Sequence, residues 1–203
     1  MSRFIFTAIL MTVLTTSCGR QMADELVITA YEGTEAAAEL RSIRKNGSVH
    51  ILGRGSAYIG RNGLGKEREG DGKTPEGIFH ATAAFGIMPD PGTKLRYIKV
   101  SPSVYACDEE GPYYNKIIDI DTTSHICHGE KMSELSPEYD YGIATDYNPD
   151  NIYPLGSAIF IHCKGEKKST AGCVAVDKRF MVKILKKITE DTKIIISSSP
   201  DHK

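Results

Sequence analysis

Apolar and polar residues alternate in short bursts through most of this chain, a pattern that favours strands over long helices. "ELVITAY" (Glu25 to Tyr31) is rich in β-branched residues and reads as a strand. "SVHILGRGSAYIG" alternates loosely, and its glycines mark a bend or bulge. "GIFHATAAFGI", "LRYIKVS" and the closing "KIIISS" are further strand candidates, while "SAIFIHC", preceded by Gly156, is the clearest of all. Two segments carry helical signals instead. In "DKRFMVKILKKIT", Met181, Ile184, Leu185 and Ile188 recur at helical spacing, Asp177 stands at the N-cap, and Lys186 and Lys187 sit near the C-terminal end. In "TEAAAELRSIRKNG", helix formers follow a capping Thr34 and Gly47 stops them, which predicts a second helix.

Between these elements, "RNGLGKEREGDGKTPEG" is dense in glycine and charge and predicts a loop or hairpin. Ser101 to Tyr153 is the least regular stretch, rich in tyrosine, Asp, Pro and Asn, and reads as long connections over a strand scaffold. No internal repeat or linker divides the chain. Its 203 residues suit one domain with its own core. Nineteen glycines and no tryptophan agree with a strand-and-turn protein, mainly β with minor α. A net charge of −1 leaves no basic face for nucleic acid, and nothing calls for a cofactor.

The N-terminus has a different character. Arg3, the apolar "FIFTAILMTVL" and the small "TTSC" form a run too short to span a bilayer, and it reads as a secretory signal. Cys18 follows Ser17 and resembles a bacterial lipoprotein attachment site, with Thr15 where such sites usually carry Leu. The expected organisation is a lipoprotein signal over 1–18, a short tether over 19–25 and one domain over 26–199. Lipid on Cys18 would then hold the exported protein to a membrane of the cell envelope, at its periplasmic face or as an outer-membrane lipoprotein.

Export changes how the other cysteines are read, because unpaired thiols tend to oxidise outside the cytosol. Cys107, Cys127, Cys163 and Cys173 remain. If one of them works as a thiolate, at most one disulfide forms among the other three. If any pair forms, Cys107 with Cys127 is the one expected, since both lie in the irregular middle.

Several motifs imitate binding sites. "GRNGLGKE" has phosphate-loop spacing at Gly60, Gly65 and Lys66, but Glu67 replaces the magnesium-binding hydroxyl and would repel phosphate. "GDGKTP" breaks into a turn where a helix should open. "DIDTTSHICHGE" has calcium-loop spacing with Ser124 where the sharp turn needs glycine. Zinc could draw on His125, Cys127, His128, His162, Cys163 and Cys173, but no C-x-x-C pair occurs, and no metal is assigned.

The most chemical stretch is "IFIHCKGEKKSTAGCVAV", with His162 on an apolar run and Cys173 in a Thr-Ala-Gly-Cys turn. A thiol needs a base or oriented N–H groups to act as a nucleophile. Gly172 would let the turn aim its N–H groups at a developing oxyanion. On residues alone, a catalytic pair and two ordinary buried side chains both stand. On a strand, neighbouring side chains oppose, so a His162 facing a cleft would send Cys163 into the interior, away from Cys173.

Together these features resemble the L,D-transpeptidase (YkuD-type) catalytic-domain family. His162 on its strand and Thr170-Ala171-Gly172-Cys173 match the family's terminal motif, and "GRNGLGKEREGDGKTPEGIF" is similar to its threonine-proline-x-glycine segment. "YDYGIATDYN" and "GSAIFIHC" resemble one branch of it. Two positions depart: Ala171 stands where many members have a second His, and Ala175 where many have Arg. The resemblance implies a β-sandwich of mixed sheets, with a short helix after the nucleophile and the site in a cleft between strand ends. It also implies acyl transfer on peptidoglycan stem peptides, with Cys173 as nucleophile, His162 as base, and Gly172 and Cys173 as N–H donors. A backbone carbonyl often orients the imidazole. Glu134, Tyr139 and Tyr141 are expected to grip an ammonium-bearing acceptor. L,D-carboxypeptidase or amidase chemistry on the same scaffold, and a non-catalytic envelope-binding lipoprotein, are the alternatives.

Overall fold

The computed structural model describes residues 21–200. The expected signal, Cys18 and the first residues of the tether lie outside them. Thirteen strands and one α-helix are present among the described residues. The first three strands are β1 (Glu25–Ala30), β2 (Glu35–Ile43) and β3 (Val49–Tyr58), followed by β4 (Gly77–Phe79), β5 (Ala81–Gly86) and β6 (Tyr97–Lys99). The middle of the chain supplies β7 (Val104–Cys107), β8 (Lys116–Asp119), β9 (Glu130–Lys131) and β10 (Gly142–Thr145). The last are β11 (Phe160–Cys163), β12 (Val174–Val176) and, after helix α1 (Lys178–Leu185), β13 (Lys193–Ser198).

Ten strands form one mixed sheet in the order β4-β13-β1-β2-β3-β12-β11-β10-β5-β6, and β8-β7-β9 form a second, small sheet. The large sheet curls over its own core. Leu26, Ile28 and Leu40 from one end meet Ile161, Val174 and Ile143 from the other, and the helix seals them with Phe180, Met181, Ile184 and Leu185. This is the sandwich-like, mainly β architecture the sequence led us to expect. A second core lies on the other face of β11, where Phe160, Phe85 and Tyr139 pack against Val104, Ala106 and Met132. The strand bearing His162 therefore separates two cores.

The helix expected after Thr34 is instead strand β2. Its inward positions are Ala36, Ala38, Leu40 and Ser42, a period of two, and it pairs antiparallel with both β1 and β3. Two ladders of backbone hydrogen bonds outweigh the helical preference of Ala, Glu and Leu, which is worth only tenths of a kcal/mol per residue. On the outer face Glu39 holds Arg41 and Arg54, each at 2.6 Å. The bend anticipated in the glycine-containing segment is a bulge: Leu40 pairs Gly53 and Arg41 pairs Ile51, leaving Leu52 unpaired in β3.

In the middle region, Cys107 and Cys127 form a disulfide with Cα atoms 6.0 Å apart. Closing a loop of this size stabilises a fold by about 3 kcal/mol. Cys163 and Cys173 are both free. Asp177 stands at the N-cap position of α1, but its side chain makes no capping bond. Its carboxylate lies 3.4 Å from Lys164 and accepts a bond from Ser56 at 3.3 Å instead. Among the described residues, no helix is long and apolar enough to cross a membrane.

Candidate active site

Pairing registers decide what meets at the centre. In β11, His162 lies opposite Gly142 of β10 on one side and Ala175 of β12 on the other. Cys173 immediately precedes β12 and, by the same register, falls beside Phe160. Alternation puts Phe160, His162, Cys173 and Ala175 on one face. Two residues along and one strand across gives a Cα separation of roughly 8 Å, within reach of an imidazole and a thiol. Cys163 takes the opposite face. It is wholly buried in the main core, and its thiol is directed at the Tyr141 carbonyl 3.5 Å away.

The turn that carries Cys173 is held from both sides. Thr170 Oγ1 donates to the Cys173 carbonyl at 2.6 Å and accepts the Gly172 N–H at 3.1 Å. Fully buried Thr74 accepts the Gly60 N–H at 2.8 Å and donates to the Gly172 carbonyl at 2.8 Å. Main-chain bonds from Thr170 N–H to Ile59 and from Arg61 N–H to Thr170, both 2.9 Å, complete the attachment. Gly172 has φ +153°, and a Cβ there would lie 2.9 Å from the Lys73 carbonyl oxygen. Only glycine fits. The Gly172 N–H, one of the two expected oxyanion donors, is thus already committed to Thr170.

His162 is 7% exposed, and its Nδ1–H donates to the Cys163 carbonyl at 2.7 Å. That bond selects the tautomer whose Nε2 carries a free lone pair. Burial lowers the imidazole pKa below its ordinary value, against the opposite pull of the Cys163 carbonyl, so the ring is neutral at pH 7. The Tyr139 ring meets it edge-on with centroids 5.6 Å apart, and Tyr139 Oη donates to Glu130 at 2.6 Å. The Cys173 thiol is pushed up to about 12, by burial first and then by the Glu130 carboxylate. The Phe160 N–H at 3.3 Å and the Lys66 ammonium pull the other way without prevailing. Its S–H is directed at the Ala158 carbonyl, 3.1 Å away. At rest the pair is a neutral thiol and a neutral imidazole.

Two cavities meet at Cys173. One, of about 310 Å³, is lined by His162, Tyr139, Thr170, Ala171, Arg61 and Glu138 among others. The other, of about 210 Å³, is lined by Lys66, Glu69, Asp108, Ser157 and Gly172. Arg61, Glu130, Ala171 and Cys173 belong to both. The Lys66 side chain is 2% exposed and pairs with Asp71 at 3.0 Å. Burial alone would raise the Asp71 carboxyl, but the N–H groups of Glu67, Lys73 and Arg68, with Lys66, outweigh it and hold the group well below the usual carboxylate range. Glu69 accepts from Tyr114 and Ser157, both at 2.7 Å. The phosphate-loop look-alike is thus a folded support beneath Cys173.

The expected acceptor grip comes apart. Tyr139 lines the larger cavity, but Glu134 is exposed and paired with Lys131 at 2.8 Å. Tyr141 lines neither cavity; it packs on the main core, with the Lys178 ammonium 5.9 Å from its ring. The spread of one loop over two faces of β10 and β11 separates residues that are neighbours in sequence. Arg61, Lys66, Thr74 and Glu130 at the site were not singled out from the sequence as site residues, though Thr74 lies inside the threonine-proline segment. Among the described residues, no group of three or more His, Cys, Asp or Glu side chains is arranged to hold a metal ion.

A family model described as the L,D-transpeptidase catalytic domain matches residues 36–196, most of the chain. A search of curated proteins finds no matching relative.

Proposed function

This chain belongs to the L,D-transpeptidase catalytic-domain family, and we propose that it opens an L,D peptide bond of a peptidoglycan stem peptide through a thioester on Cys173. The observation that carries this reading is the shared face of β11 and β12. There a neutral imidazole, oriented by the Cys163 carbonyl, opens into the same cavity as the Cys173 thiol.

Sγ attacks the scissile carbonyl carbon while His162 Nε2 accepts the thiol proton, so charge separates only as the C–S bond forms. The new oxyanion faces the Cys173 N–H. The imidazolium then gives its proton to the departing nitrogen, the C–N bond breaks, and the terminal D-residue leaves with its amine neutral. In the second half, Nε2 takes a proton from an incoming amine as that amine attacks the thioester. The sulfur leaves and regains the proton from the imidazolium.

The acceptor in this reading is an amine, so the product is a cross-link. Water is present at ~55 M, and an amine competes only when held in place; effective molarities of well-oriented groups reach ~10⁵ M or more. Glu130 and Glu138 line the larger cavity and offer carboxylates to an acceptor ammonium. The test is incubation with a purified tetrapeptide-bearing muropeptide across acceptor concentrations, with products resolved by mass. Cross-linked dimer that rises with acceptor supports transpeptidation. Tripeptide dominating at every concentration makes the enzyme an L,D-carboxypeptidase. Export and a lipid on Cys18 belong to the same proposal, and the mass of the mature N-terminus decides them: a free N-terminus downstream of Cys18 rules the anchor out.

A further inference from the structure

We propose that Arg61 forms a carboxylate-binding subsite beside Cys173 and so selects acyl donors that carry a carboxylate next to the scissile bond. This rests on the stem-peptide reading above for the identity of the donor, though not for the chemistry of the subsite. Four observations support it. Arg61 lines both cavities, and these meet at the nucleophile. Its N–H is bonded to the Thr170 carbonyl at 2.9 Å, so its main chain is fixed to the nucleophile turn.

The guanidinium also has a prepared seat. Gly72 has φ +70°, and a Cβ there would lie 2.9 Å from both Cζ and Nε of Arg61, so glycine leaves the space the arginine occupies. One Nη donates a long 3.4 Å bond to the Gly70 carbonyl. Finally, Arg61 makes no ion pair among the described residues, whereas nearby Lys66 is neutralised by Asp71. A guanidinium carries five donors in a planar fork suited to a carboxylate, and most of these remain unused.

The remaining charges give the site polarity. Lys167 joins Arg61 in lining the larger cavity, and Glu130 and Glu138 supply carboxylates there. A stem peptide holds both ammonium and carboxylate groups, and this distribution admits it in one sense: ammonium toward the glutamates, carboxylate toward Arg61. Two carboxylates lie close to the proposed scissile bond, that of the terminal leaving residue and that on the side chain of a diamino acid.

The direct test needs no peptidoglycan. Iodoacetate and iodoacetamide alkylate Cys173 by the same displacement of iodide and differ in the carboxylate, so the change in their rate ratio between wild type and an Arg61 variant at one pH reports on the Arg61 charge. Arg61→Gln should lower the iodoacetate-to-iodoacetamide ratio about tenfold, the size of one exposed charge-assisted contact, and Arg61→Lys should retain most of it. An unchanged ratio in Arg61→Gln overturns the subsite. Should that variant fail to fold, Arg61→Ser at the same exposed position gives the same comparison. With stem tetrapeptides, Arg61→Gln should raise KM more than it lowers kcat. Loss of that effect with a C-terminal amide assigns the terminal carboxylate; loss with the side-chain amide assigns the diamino acid. Equal damage with both amides and the free acid overturns carboxylate recognition. Wild-type protein that turns over no stem peptide defeats the proposed function, while the alkylation ratio still decides the role of Arg61.

Discussion

Cys163 and Cys173 face opposite sides of the same strand pair, and burial raises both thiols, to about 11 and about 12. The thiol proposed as nucleophile is no more acidic than the other at rest. Resting acidity therefore does not separate them; surroundings do. Cys163 is sealed among Ile161, Val174 and Val176 and directs its S–H at the Tyr141 carbonyl. Cys173 opens into two cavities with a neutral imidazole on its face. Reactive cysteines usually hold a depressed pKa. In the proposed mechanism the proton leaves Cys173 only as the C–S bond forms.

The hardest test of this contrast exchanges the two thiols for alanine. Cys173→Ala should abolish stem-peptide turnover, a loss on the order of 10⁶-fold where a nucleophile acts as a unit with its base. Cys163→Ala should keep turnover within about twofold and lower stability by about 1 kcal/mol, through the small void it leaves. Muropeptide turnover beside thermal unfolding checks both. Activity in Cys173→Ala would reject the mechanism. Next in size, His162→Ala should slow turnover by about 10² to 10⁴-fold, the range for a lost general base. Its Cys173 should still be alkylated, because the cavities remain.

That contrast also marks what the sequence made legible. Strand alternation sufficed to send His162 and Cys163 to opposite faces, and the "STAGC" turn placed Cys173 on the face that His162 shares. Local patterns failed where distant pairing decided the outcome. "EAAAELRSI" carries good helix formers, yet β1 and β3 on either side make it a strand. Gly172 was expected to offer its N–H to substrate, but Thr170, two residues earlier, takes it. Glu134 and Tyr141 lie close to Tyr139 in sequence and point elsewhere, since the loop wraps the edge of two cores. Glu130, on the small sheet, lines both cavities at Cys173 and acts electrostatically on its thiol, a proximity that no spacing within "IFIHCKGEKKSTAGCVAV" encodes.

Thr74 sharpens the comparison from below the active face. It is fully buried and joins Gly60 to the Gly172 carbonyl, whereas Cys163 is held by strand pairing with Val176 and by the bond from His162 Nδ1 to its carbonyl. Thr74→Val keeps the shape and removes the hydroxyl, leaving the Gly60 N–H buried without its partner. Stability should fall by about 1–3 kcal/mol, measured by denaturant unfolding. Turnover should fall about tenfold as the turn loosens, since small misplacements at a reacting atom are costly. Thr74→Ser should recover most of both. A Thr74→Val protein with full stability would mean that Thr170 and the main-chain bonds suffice to hold the turn.

The smallest expected effect concerns the imidazole itself. Burial lowers the His162 pKa below its unfolded value near 6.5, so between the two values the unfolded chain binds the proton more readily than the fold does. Its contribution to stability is complete above about pH 6.5 and is lost as the pH falls through the lower folded value. Glu130 and Asp108 act in the opposite sense: burial raises both carboxyls, so their contribution is present below the ordinary carboxylate pKa and is lost as pH rises through the raised values. Comparing variants isolates the histidine from this background. From pH 7.5 down to 5.0, the thermal midpoint of wild-type protein should fall more than that of His162→Gln. Cys163→Ala should follow the wild-type slope, because a thiol raised to about 11 does not titrate there. Parallel midpoints for wild type and His162→Gln would show that the fold does not hold this ring neutral, and the physical basis for using it as a base at rest would go with it.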